Sequence, residues 1–311
     1  MKLAFAIGGG GDVVSAGALA AKLNAEVGLL PWERYVVDPE PGPLTYRDFV
    51  NAEGDGVLLT LSPHTTAVRR GRAIRPQGAC VSSILGKKVY AISPDKPPSV
   101  VAKALASRFD EIIGVDVGGD VLACGCEPDL HSPLADSYSL AVLKRAEEQG
   151  ARVEVAVVGL GADGELSREY LVGRAALLAS NGGFLGYYAF EPQDSALLEK
   201  LASSCVTEAS RNVLRALRGE YGEVPIRGDA RRAYIDIYTP VFLRFKPGPL
   251  LEANKIARLI YERDWGIFEA AVELRRMGYT TEYDFERYVA AGIPPPEALA
   301  RAKAERRCSC N

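Results

Sequence analysis

Apolar runs of four to eight residues alternate with segments of helical period along most of the chain. The runs predict strands over 2–8, 25–31, 57–62, 87–93, 111–117, 153–160, 184–190 and 233–244. The helical spacing predicts helices over 13–23, 98–108, 134–149, 164–179, 193–218, 249–263 and 265–276. Several strand candidates are almost continuously apolar, as in Val153-Glu154-Val155-Ala156-Val157-Val158. Strands read this way when both faces are covered, as in a parallel sheet between helix layers.

The repeated strand-then-helix order predicts an α/β fold, doubly wound and Rossmann-like, with a mostly parallel sheet. No stretch has linker composition, so the expectation is a single α/β domain over 1–311. Within it, 38–80 reads as an irregular insertion carrying Pro39, Pro41 and Pro43. Insertions of that length are usually lids, binding loops or oligomer contacts. From about residue 249 a helical C-terminal part is expected, with Pro294, Pro295 and Pro296 near its end. It would pack on the sheet or on a partner subunit, so a homo-oligomer is one expectation.

Composition narrows the function. The chain has 311 residues, 48% hydrophobic and 25% charged, with a net charge of -3. That balance argues against nucleic acid as the main partner, because neutralising phosphates needs a basic face. No apolar run approaches the ~18–20 residues that span a bilayer, so no membrane partner is expected. The opening run Leu3–Ile7 is too short for a signal peptide, which predicts a cytoplasmic protein. Two methionines and three glutamines (Gln77, Gln149, Gln193) fit a thermophilic source.

The six cysteines are Cys80, Cys124, Cys126, Cys205, Cys308 and Cys310. Their density is not that of a disulfide scaffold, and C-x-C is not the usual zinc spacing. They are expected to be buried thiols plus a frayed tail; disulfides or metal ligation stay open.

Four loops carry candidate chemistry. Gly8-Gly9-Gly10-Gly11-Asp12 follows the first strand and opens a helix. Its glycines would let backbone approach a ligand, and its amides would receive an oxyanion or phosphate. It fails the dinucleotide fingerprint, whose third glycine would fall at Val13 or Val14. Asp12 is a candidate catalytic base or metal ligand, or a plain helix N-cap. Ser15, one turn into the helix, is a candidate ligand contact. Asp116-Val117-Gly118-Gly119-Asp120 follows the strand at 111–117. Its two carboxylates, four apart, would converge on one cation or on paired hydroxyls, or close a turn.

His131-Ser132-Pro133-Leu134-Ala135-Asp136 reads as a helix start, with Ser132 as N-cap and Asp136 one turn in, a ligand contact or a solvated acid. Gly159-Leu160-Gly161-Ala162-Asp163-Gly164-Glu165 again ends a strand in glycines and acids, which the helix dipole also favours. Three of these loops are strand-to-helix loops and so share one sheet edge. If the strands are neighbours, Asp12, Asp116, Asp120, Asp163 and Glu165 surround one cleft. A divalent cation (Mg or Ca, held by Asp116, Asp120 and Asp163), a cationic substrate or a polyhydroxy ligand would relieve their repulsion. Arg69, Arg70, Arg72 and Arg75 would fold over to hold phosphate, or form a solvated loop.

Gly9–Gly17 resembles the G-A-G-D-x-F-x-A-G segment of ribokinase-type sugar kinases, which implies Asp12 as base and an anion hole from loop amides. The Asp116/Asp120 loop is similar to the Asp-rich first loop of nucleoside hydrolases, which implies calcium and ribose binding. Gly8–Ala16, Asp116–Leu122, Ser132–Asp136 and Gly161–Leu166 together resemble a largely archaeal family catalogued as a domain of unknown function. That resemblance implies an α/β fold and no particular activity.

Three functions follow. The first is a metal-assisted enzyme, a hydrolase or phosphotransferase, acting on a phosphorylated, sugar-like or nucleoside-like molecule, with Asp12 and Asp120 catalytic. Gly8–Gly11, Ser15, Gly118, Gly119, Ser132, Asp136, Gly159, Gly161 and Glu165 would contact the ligand. The second is a non-catalytic nucleotide or metabolite sensor using the same cleft. The third is a structural subunit whose glycines serve turns. With only His64 and His131 present, a Ser-His-Asp or Cys-His nucleophile is not expected.

Overall fold

The computed structural model describes residues 1–228 and 231–310. In β1 (Lys2–Ala6), Leu3 and Phe5 enter one hydrophobic cluster and Ala4 and Ala6 another. Period-two alternation thus buries the strand on both faces, as its unbroken apolar run predicts. After α1 (Val13–Leu23) and β2 (Glu26–Leu29), the stretch expected to be irregular holds five short strands. These are β3 (Phe49–Val50), β4 (Glu53–Gly54), β5 (Leu58–Leu61), β6 (Thr66–Arg69) and β7 (Arg72–Ile74). Strands β3, β6 and β7 pair in a small sheet, while β4 and β5 extend the main one. An unforeseen helix, α2 (Gln77–Leu85), leads to β8 (Val89–Ile92).

Next come α3 (Pro98–Ala106), β9 (Glu111–Val117), α4 (Pro133–Glu148) and β10 (Arg152–Val158). They are followed by α5 (Arg168–Ser180), β11 (Phe184–Ala189), α6 (Ser195–Ser204) and α7 (Ala209–Leu217). A hairpin of β12 (Gly222–Ile226) and β13 (Arg231–Ile235) precedes β14 (Val241–Phe245). The last helices are α8 (Pro247–Ala253), α9 (Lys255–Arg263), α10 (Ile267–Arg276), α11 (Glu282–Ala290) and α12 (Pro295–Glu305). No helix among the described residues is long and apolar enough to cross a membrane.

The main sheet runs β11-β14-β10-β9-β1-β2-β8-β5-β4. Its five central strands, β10 to β8 in that order, are parallel; β14 and β5 lie antiparallel to their neighbours at either flank. The architecture is mixed α/β with a large, mostly parallel central sheet. Helices α1, α2, α6 and α7 cover one face, and α3, α4, α8, α9 and α10 the other. From β1 the chain steps outward through β2 to β8, then returns to β9 on the opposite side of β1. Such a reversal opens a crevice beyond the carboxyl ends of the two strands.

Three long predicted elements break in two. The strand expected over 233–244 turns at Asp236–Pro240, where Thr239 Oγ1 accepts from the Asp236 amide at 2.9 Å. The helix expected over 193–218 stops at Cys205, which is bonded to Cys80. The helix expected over 249–263 divides at Asn254, whose side chain accepts from the Ala257 amide at 2.9 Å and caps α9.

The free-thiol reading of the cysteines is overturned. Disulfides join Cys80 to Cys205, Cys124 to Cys310 and Cys126 to Cys308. The two C-x-C pairs face each other, so the C-terminal segment expected to fray is strapped across the loop 123–131. The Arg306 guanidinium adds contacts to the carbonyls of Glu127 and Leu130.

Helix α11 is tied to the sheet edge by a buried acid. Both oxygens of Glu286 accept from Trp32 Nε1, at 3.1 and 3.0 Å, and Oε2 accepts from the Gly42 amide at 2.8 Å. Burial pushes its carboxyl up to about 8, against these hydrogen bonds, with Glu282 and Asp38 adding repulsion. The folded state therefore holds a proton that the unfolded chain releases above about pH 4.5. Stability from this group is full below that pH and is lost as pH rises towards 8. Urea midpoints of chelator-treated protein should fall over that window, and Glu286→Gln should make the fall shallower. An unchanged slope in the variant would contradict this.

Candidate functional site

The crevice between β1 and β9 collects the acids. Asp12 lies just beyond β1, Asp116 at the end of β9, and Asp120 in the short turn after it. Asp163 and Glu165 lie beyond β10, and Asp136 projects from the first turn of α4. All but Asp12 are among the buried polar residues, and Asp12 lines the cleft. One oxygen each from Asp12, Asp116 and Asp136 lies within 4.8 Å of the others. Asp120, Asp163 and Glu165 form a second such group. The five expected acids do line one crevice, because β1, β9 and β10 are adjacent strands, but the expected metal set is divided: Asp116 falls in the first group and Asp120 and Asp163 in the second.

Local structure decides between capping and a site. Asp12 makes no cap hydrogen bond to α1; its Oδ2 instead accepts from the Val117 amide at 3.2 Å, across the crevice. Ser132 does not cap α4 either. Its hydroxyl lies 3.0 Å from Asp120 Oδ2 and 2.8 Å from Glu165 Oε1. The α4 N-terminus is capped from far away by Glu282, which accepts from the amides of Leu134 and Ala135 at 2.9 and 2.8 Å. Asp136, one turn in, is buried at 3% exposure and so is not a solvated first-turn acid.

Two glycines make room for the carboxylates. A Cβ on Gly8 would stand 2.5 Å from Asp12 Oδ2 and 3.0 Å from Asp136 Oδ1. Gly118, with φ +128°, would place one 2.7 Å from Asp163 Cγ. Gly11 lines the cleft beside Thr207, whereas other loop glycines serve packing. Gly119 lies under Leu171, and Gly9 lies against the carbonyl of Trp32. Gly159 donates to Thr239 and Gly161 to Gly118. Gly10 lines the cleft, but its amide donates to the Trp32 carbonyl at 2.8 Å, and the Asp12 amide is held by Gly9. The expected anion hole therefore lacks those donors. Ser15 is bonded to Ser210 at 2.9 Å in the α1–α7 contact and does not line the cleft.

Electrostatics set the cluster apart from ordinary carboxylates. Burial drives Asp12, Asp120 and Asp136 well above the usual carboxylate range, with Asp116 repelling Asp12 and Asp136, and Glu165 repelling Asp120. Asp116 and Asp163 are raised to about 7 by burial, with Glu165 adding to both. For Glu165 burial is outweighed by His131, Arg231 and the Ser132 hydroxyl, which bring it down to about 2. Arg231 Nη1 sits 3.0 Å from Glu165 Oε1. Two unit charges 4 Å apart repel by about 4 kcal/mol at intermediate dielectric. Several such pairs cannot remain ionised together without a cation. Asp120 Oδ1 and Asp136 Oδ1 are also buried with no hydrogen-bond partner. A buried carboxylate oxygen left bare costs about 1–3 kcal/mol, more when charged.

The cleft over this floor has room for about 90 Å³. Its rim carries Trp32, Arg34, Thr207, Glu208 and Arg227, none foreseen from the sequence. Arg34 and Arg227 flank Glu208 at 2.8 and 3.3 Å. Arg34 follows β2, a parallel strand ending at the same edge, so the logic that found Asp12 would have found it too. Arg227 and Arg231 come from the β12–β13 hairpin, which packs on Gly164, and no local signal announces them. The basic run expected to close over the cleft is engaged elsewhere. Arg69 holds Asp38 and the carbonyls of Glu40, Pro41 and Gly42; Arg70 pairs with Glu40. Arg72 is exposed, and Arg75 bonds Ser83.

A wider groove of about 750 Å³ opens at the amino ends of the strands, beside Met1 and Arg108. Its charges Glu53 and Lys88 neutralise one another at 2.9 Å in solvent, so it lacks the signature of the acidic cleft.

A family model described as a protein of unknown function (DUF1152) matches residues 3–290. The chain belongs to the DUF1152 family. The match takes in the whole acidic cluster, both arginines of the rim and Glu282. No curated protein and no solved structure matches the chain.

Proposed function

We propose that this DUF1152 protein is a divalent-cation-dependent enzyme acting on a phosphorylated small metabolite, sugar-like or nucleoside-like. The observation that carries this reading is the pairing of an acidic floor with a basic rim. Asp120 and Asp136, each with a bare carboxylate oxygen, line the same cleft as Arg34 and Arg227. Carboxylate donors without soft ligands suit Mg²⁺, Mn²⁺ or Ca²⁺. A cation there would polarise a phosphoryl oxygen and neutralise developing charge. Guanidiniums match phosphate in charge and in donor geometry, so Arg34 and Arg227 would orient that group. About 90 Å³ is the liquid volume of roughly three waters, enough for a phosphoryl group and little more. The remainder of the substrate would lie towards Trp32 and Thr207. Asp12, grouped with two other carboxylates, fits a ligand better than a free base.

The test is phosphate release from a panel of sugar phosphates and nucleotides with Mg²⁺ or Mn²⁺. Turnover that is lost in chelator and in Asp120→Asn supports the reading. Saturable binding without turnover would favour a sensor, and no cation or ligand binding at all would favour a structural subunit.

A further inference from the structure

We infer that the cluster is built for two divalent cations rather than one, with phosphate bridging them at the foot of Arg34 and Arg227. This rests on the cation-dependent reading above and specifies its centre.

The carboxylates divide by position. Asp12, Asp116 and Asp136 converge from the loop after β1, the end of β9 and the first turn of α4. Asp120, Asp163 and Glu165 converge from the loops after β9 and β10. Each group of three owns one of the two bare oxygens: Asp136 Oδ1 in the first, Asp120 Oδ1 in the second. These two residues are 3% and 6% exposed, and no protein donor among the described residues reaches those oxygens. A single cation bound in either group would leave the other group's bare oxygen as it was.

Charge leads to the same count. Fully ionised, as cation ligands would be, the six carboxylates carry six negative charges, and among the described residues Arg231 pairs with one of them, Glu165. One dication plus Arg231 leaves three negative charges uncompensated; two dications leave one. A dianionic phosphate then approaches a nearly balanced floor beneath two guanidiniums. The two groups are neighbours, since Asp116 repels members of both. Paired cations of this kind clamp the two ends of a phosphoryl transfer. Ser132 would position rather than ligate, since its hydroxyl spans Asp120 and Glu165 within the second group.

The test is the stoichiometry of Mn²⁺ binding to the full chain after chelator treatment, by calorimetry and by the free-Mn²⁺ electron paramagnetic resonance signal. Two Mn²⁺ per chain are expected, with a spin-coupled spectrum. Asp136→Asn and Asp163→Asn should each leave one tight site, with the other weakened at least tenfold; the double variant should leave none. Asp120→Asn replaces Asp163→Asn if that variant misfolds. One Mn²⁺ per chain in the unaltered protein, with metal-dependent turnover intact, overturns the two-cation centre and spares the enzyme reading. No binding overturns both.

Discussion

Asp136→Asn is expected to stabilise the cation-free protein while weakening divalent-cation binding at least tenfold. The two effects have opposite signs because the residue sits in a cluster that is unfavourable until filled. Asp136 is buried against Asp12 and Asp116, and its Oδ1 has no partner. An amide of the same shape removes one charge and offers N–H donors to those carboxylates. The gain is limited by protonation, because burial already holds Asp136 well above the usual carboxylate range. It should therefore grow as pH rises, when the parent must either ionise the group or keep its proton against a falling supply. Near pH 8 a gain on the order of 1–3 kcal/mol is reasonable for satisfying a buried polar group. Melting curves at pH 6 and 8, with and without Mn²⁺, read both effects. A variant that melts lower than the parent and binds Mn²⁺ normally would make Asp136 a packing residue. Residues that serve function commonly act against stability in this way.

Reducing the three disulfides should lower the apparent melting temperature by an amount on the order of 10 °C and weaken cation binding with it. The Cys124–Cys310 bridge closes a separation of 186 residues. Chain entropy values such a closure at about 5 kcal/mol. Cys126–Cys308 adds less, because the first bridge already tethers the tail two residues away. Cys80–Cys205 closes a separation of 125 residues that overlaps the first. The bridges also hold parts of the cleft. Cys124 and Cys126 lie in the segment between Asp120 and Ser132, and Cys205 precedes Thr207 and Glu208 on the rim. Gln77 supports the same rim, accepting from the Val206 amide at 2.6 Å while its own amide donates to Glu33. Calorimetry before and after phosphine reduction, with thiols counted by mass spectrometry, checks both effects. Superimposable melts at full reduction would show that the bridges constrain nothing.

Much of the site was legible because it obeys a topological rule. Acids and glycines placed after apolar strands had to lie on one edge, and the adjacency of β1, β9 and β10 made them one cluster. What local reading could not separate was a helix cap from a side chain turned into the crevice. Asp12 and Ser132 have ideal capping positions, and both turn their side chains into the crevice instead. Glu282, about 150 residues further along, caps α4 and frees Ser132 for the cluster. The basic run misled for the opposite reason: Arg69 is consumed by carbonyls of its own insertion. The arginines beside the cleft stand instead at Arg34 and in the β12–β13 hairpin, paired with Glu208 and Glu165.

The sequence by itself determined the α/β class, the run of buried parallel strands and the edge on which the acids gather, because burial and period are local properties of a strand. Tertiary structure alone decided the cysteine pairing, the breaks in three long elements, the burial of Asp136 and the arginine rim. Each of these depends on which distant group occupies the space beside a residue, and periodicity carries no record of that.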